Sequence, residues 1–173
     1  MSHQFVSVVQ LLLAATFLIV PIVAYRHGTA AQHAAEAQVE SQGYEAELLS
    51  RHRIRFAESG AEMLLPFAIA VLMGTLAALN AFDTGIGRIL SLVVQPLLLL
   101  AGGVVTAGQV FVVRFTESAL RKSGDAAVRD LDVKAFIDAA EAAFPSWLRY
   151  LIVTRFVLVT MGSAFVVLVL ATA

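Results

Sequence analysis

The chain contains no cysteine. That absence removes disulfides, thiolate metal ligands and thiol nucleophiles from consideration. Charge is scarce as well. Only 14% of the 173 residues are Asp, Glu, Lys or Arg, whereas soluble domains carry about a quarter. The shortfall is concentrated in long runs without a carboxylate, which argues against an ordinary soluble fold. Net charge is −1, so no basic surface suited to nucleic acid is expected. Familiar catalytic fingerprints are missing too: the sequence has no G-x-S-x-G, H-E-x-x-H, P-loop or G-x-G-x-x-G. The expectation is a protein that is not an enzyme, with no catalytic residues, no cofactor and no nucleic-acid partner.

What is present is apolar. Hydrophobic residues make up 59% of the chain, and mean hydropathy is +0.82. Four segments, Phe5–Tyr25, Met63–Phe82, Ile89–Val113 and Tyr150–Thr172, reach the roughly 20 residues that a helix needs to cross a hydrocarbon core of about 30 Å. The first has no Lys or Arg ahead of it and exceeds the length of a signal-peptide core, so it reads as a retained helix. The expected fold is an all-α integral membrane protein. It is read as a four-transmembrane-helix bundle forming one membrane domain over residues 1–173, with helical cytoplasmic loops at 26–62 and 114–149.

Cations divide unevenly along this plan. The first loop holds Arg26, Arg51, Arg53 and Arg55; the second holds Arg114, Arg121, Lys122, Arg129, Lys134 and Arg149. The short turn between the second and third spans has only Arg88. The positive-inside rule then places both loops in the cytoplasm and both termini outside. Tyr25, Trp147 and Tyr150 fall where an interfacial aromatic belt belongs. Arginine outnumbers lysine ten to two, a bias of GC-rich bacterial genomes, and the expected location is a bacterial plasma (inner) membrane.

Both loops read as helical. In the first, an Ala/Gln/Glu-rich stretch is broken at Gly43, and "YEAELLSRHRIRFAES" is expected to resume the helix. There, Arg51, Arg55, Glu58 and Glu62 would form a self-compensating charged strip anchoring the second span. In the other loop, Asp132 is a candidate N-cap and Pro145 a stop. Between them Val133, Phe136, Ile137, Ala140 and Phe144 share one apolar face. Its opposite face carries Asp138 and Glu141, so docking on protein is preferred to docking on anionic lipid.

Few residues suggest chemistry. His27, His33, Glu36 and Glu40 lie close in sequence, but no matching pair occurs in the other loop, and the cluster reads as a solvated helix face with no metal. The histidines all fall outside the spans, which argues against axial haem ligation. Arg155 is the one charge within a span. By default it marks a site for an anionic lipid headgroup or an ion pair, with Glu62 as candidate partner; snorkelling to the interface is the simpler account. The third span carries Gln95, Thr106 and Gln109 on a polar stripe with Ser91 and Gly102, read first as interhelical packing. Functionally these features suggest a non-catalytic accessory or structural subunit of a larger membrane complex, or a homo-oligomer. Its partners would be membrane lipids and other membrane subunits or itself. The alternative is a small transporter, channel or lipid-binding protein using the polar face and Arg155.

Overall fold

The structure, a computed structural model, describes residues 2–125, 128 and 130–172. Arg129, counted above among the loop cations, lies outside them. Among the described residues every regular element is a helix and there is no strand. Seven helices follow in order. They are α1 Ser2–Ser41, α2 Glu47–Arg51, α3 Leu64–Ala81, α4 Gly85–Val110, α5 Val112–Ser123, α6 Val133–Ala142 and α7 Leu148–Thr172. Of these, α1, α3, α4 and α7 are long and apolar enough to cross a membrane.

The chain separates into two compact units. The first consists of Met1–Pro21, Met63–Val110 and Arg149–Ala173; the second of Ile22–Glu62 and Phe111–Leu148. Helix α1 contributes to both, with the division at Pro21.

In the first unit, Leu13, Phe17, Ala70, Met73, Leu76, Leu98 and Val159 form one buried cluster, and Val6, Val166 and Leu170 a smaller one. Two π-helical turns interrupt the long helices, Leu98–Gly102 in α4 and Leu158–Gly162 in α7. Pro96 has no N–H to give the Leu92 carbonyl, so α4 is already weakened where its π-turn begins. The two π-turns touch. A Cβ on Gly102 would meet Val159 Cγ1 at 3.1 Å, so glycine permits the approach.

The second unit has its own core. Ala31, Ala35 and Val39 of α1 join Leu48 and Leu49 of α2, Leu120 of α5, and Val133, Phe136, Ile137 and Ala140 of α6. Asp132 caps α6 as expected, its carboxylate accepting from the Ala135 N–H at 3.0 Å. The apolar face of α6 is thereby covered from within the chain. Gln42 adds a paired contact to the same segment, donating to the Asp132 carbonyl at 3.2 Å and accepting its N–H at 2.8 Å.

One expectation fails in this unit. The charged stretch after Ser50 does not continue as helix: α2 ends at Arg51 and Arg53 turns left-handed at φ 57°. From there Arg51, Arg53 and Arg55 are exposed while His52, Ile54 and Phe56 are half-buried. That is a period-two alternation, not a helical strip. The segment returns along α1, where the Phe56 N–H donates to Gln32 Oε1 at 2.8 Å. Gly28 makes the return possible, since a Cβ there would lie 2.6 Å from the Phe56 carbonyl oxygen.

Candidate functional site

The first unit gathers polar side chains inside an apolar shell. Gln10 on α1 donates from Nε2 to Ser91 Oγ on α4 at 2.9 Å. Asn80 on α3 donates from Nδ2 to Gln10 Oε1 at 3.0 Å, to Ser91 Oγ at 2.8 Å and to the Leu76 carbonyl at 2.9 Å. These three side chains are at most 1% exposed. The Leu76 carbonyl can only accept, which fixes the Asn80 NH2 toward it and aims Oδ1 the other way. Asn80 Oδ1 has no hydrogen-bond partner among the described residues. Asn80 is not among the residues that the sequence singles out. Its i+7 spacing from Met73 on an inward face was the signal available.

Beyond Ser91 the stripe foreseen on the third apolar helix divides. Gln95 is fully buried, with Nε2 3.9 Å from Met73 Sδ and Oε1 without a partner. Thr106, also buried, turns its hydroxyl back to the Gly102 carbonyl at 2.8 Å. Gln109 is exposed, and its amide oxygen accepts from Arg155. The structure therefore brings Gln109 to Arg155 and gives Thr106 a local role.

Arg155 is only 4% exposed, and its guanidinium carbon stands 5.4 Å from the centre of the Phe17 ring. A planar cation over an aromatic face is a favourable electrostatic arrangement. Glu62, its expected partner, has partners inside the second unit. Its carboxylate accepts from Arg55 Nη2 at 2.7 and 2.9 Å and from the Ser59 N–H at 2.6 Å. These contacts, the Ser59 backbone N–H foremost, lower the Glu62 carboxyl below its ordinary 4.5. Lys134 is raised above its ordinary 10.5, chiefly by its hydrogen bond to Asp138.

Other clusters offer less. His33 Nδ1 lies 3.5 Å from Glu36 Oε2, and Gln32 donates to Glu36 Oε1 at 2.8 Å. Among the described residues no three His, Cys, Asp or Glu side chains converge on a metal position. The second unit also has an open cavity of about 460 Å³ between α5 and the start of α6, with Leu120, Val128 and Leu131 below and Glu117 and Arg121 at its edge.

No protein-family model matches the chain, and neither a curated protein nor a solved structure is significantly similar to it.

Proposed function

We propose that the protein is a non-catalytic, multi-pass membrane protein. In this reading it serves as an accessory or structural subunit of a larger complex in a bacterial plasma membrane, or as a homo-oligomer. Helix α4 carries the proposal. Its polar Ser91, Gln95 and Thr106 are turned inward, while Ile86, Ile89, Val93, Leu97, Leu100 and Val104 form an outward seam, each 58–73% exposed. Steps of three and four residues are the spacing by which one helix packs along another. The amphipathic face of α6 no longer supports a partner, because the chain covers it. The proposed orientation puts both termini outside and residues 26–62 and 114–149 in the cytoplasm, supported by the clustering of cations in those segments.

The cysteine-free chain allows a clean experiment. Single-cysteine variants Val93→Cys and Leu100→Cys are oxidised in native membranes, and the protein is extracted in mild detergent for native mass spectrometry. The expected result is a crosslinked homodimer, or a stable co-purifying membrane protein whose recovery falls with Leu97→Arg. A monomer with neither product overturns the proposal.

A second reading, a transporter, channel or lipid-binding protein, has one observation in its favour. Arg155 is a buried guanidinium in an apolar helix, with its Gln109 partner exposed. It predicts anionic lipid co-purifying with the wild type and lost in Arg155→Gln. Equal lipid in both counts against it.

A further inference from the structure

We propose that ordered water occupies the interior of the first unit, donating hydrogen bonds to Asn80 Oδ1 and Gln95 Oε1 and bonding to the Ser163 hydroxyl. This inference is independent of whether the protein has a partner. Its basis is three polar atoms on three helices, Asn80 Oδ1, Gln95 Oε1 and Ser163 Oγ, that lack a hydrogen-bond partner among the described residues. Each belongs to a side chain no more than 1% exposed. Native interiors rarely leave such atoms unmet, and an apolar surrounding raises the penalty because no bulk solvent can reach them.

The first two atoms share one seam. Asn80 bonds Ser91 at 2.8 Å, and Gln95 follows Ser91 by four residues, one turn further along the same face of α4. Gln95 also reaches Met73 at 3.9 Å, a residue on the Asn80 face of α3. Ser163 enters from α7 next to Gly162, whose Cβ position lies 3.1 Å from Val9 Cγ1, the neighbour of Gln10. The helical irregularities fall at the same places. Gln95 stands three residues before the π-turn Leu98–Gly102, and Ser163 directly follows the π-turn Leu158–Gly162. A π-turn inserts a residue and displaces the side chains around it, the local change expected beside an internal guest.

The chemistry of the three atoms selects the guest. Two are amide oxygens and can only accept, and the third is a hydroxyl that can do either. The occupant must therefore donate a proton to each amide oxygen. Water meets that requirement, and satisfying buried acceptors outweighs the entropy of holding it.

The test is carried out on the full chain in lipid nanodiscs. NMR with labelled Asn and Gln side chains reads cross-peaks between their amide protons and slowly exchanging water, and a structure at water-resolving resolution reads density. The expected result is a water signal at both Asn80 and Gln95 in the wild type, with the density beside position 95 lost in Gln95→Leu and the signal at Asn80 kept. Dry amides with no density in the wild type overturn the proposal, as does a metal ion at the site. The wild-type measurement decides the question even if Gln95→Leu fails to fold.

Discussion

In the second unit the fully buried side chains are apolar, Phe136, Ile137, Leu49 and Val39 among them, and the charges of Arg51, Lys134 and Asp138 face outward. In the first unit polar residues are buried, Gln10, Asn80, Ser91 and Gln95 among them, while Leu64, Val71, Phe82 and Val104 are 69–82% exposed. Each pattern fits a different solvent. Against water, hiding apolar area supplies the driving force, at about 25 cal/mol per Å². Against hydrocarbon that gain disappears, and close packing with interhelical hydrogen bonds must hold the helices.

The contrast is most sharply broken by removing the largest core side chain of the second unit. Phe136 is 0% exposed, and Phe136→Ala is expected to cost about 3–5 kcal/mol through lost burial and the cavity left behind. Thermal or denaturant unfolding in mild detergent, followed by proteolysis after Arg51, Arg53 and Arg55, measures it. Cleavage there should rise steeply in the variant. A loss below about 1 kcal/mol would mean that this core does not behave as one built against water.

The matching change in the first unit is Asn80→Leu. It keeps the volume roughly constant and takes the donor away from Gln10 and Ser91. The expected loss is about 1–2 kcal/mol, because interhelical hydrogen bonds in apolar surroundings are individually modest. The same unfolding assay checks it. A stabilisation would show that the Gln10–Asn80–Ser91 group serves something other than holding helices together.

How far the sequence foretold this contrast varies by element. The four apolar runs were long enough to read directly, and Asp132, Pro145 and the 3.6-residue period of α6 announced that helix and its buried face. Each of these signals is local. The stretch at 51–62 misled because its charges also fit helical spacing, and the competing period-two alternation of Ile54 and Phe56 is short. Its true course depends on Gly28, more than twenty residues earlier, admitting the Phe56 carbonyl at close range. The π-turns were not legible either: Pro96 gave a hint in α4, but α7 has only Gly162, and a π-turn arises from packing between helices. For the candidate site, Ser91, Gln95 and Thr106 of the expected stripe are buried, while Gln109 is exposed and meets Arg155. The contributions of Asn80 and Ser163 depend on neighbours from other helices.

The smallest expected effect sharpens the comparison through pH. Glu62 has its carboxyl lowered below 4.5 by the Ser59 N–H and by Arg55. Its contribution is therefore fully present above 4.5 and is lost as pH falls through the lowered value. Lys134, raised above 10.5 by Asp138, contributes below 10.5 and loses that contribution as pH rises through its raised value. Both groups are solvated and screened, so the effects are local. The Gln10–Asn80–Ser91 group contains only amides and a hydroxyl, which do not titrate between about pH 3 and 10. Lowering the pH from neutral to about 3.5 should reduce the protection of the Ser59 amide, measured against its intrinsic exchange rate at each pH, and leave that of the Asn80 side-chain amide protons unchanged. In Glu62→Gln the Ser59 amide should already exchange faster at neutral pH and respond less to acid. An equal loss of protection at Ser59 and Asn80 would mean that acid loosens both units, and the contrast between a titratable contact in one and a non-titrating polar group in the other would not hold.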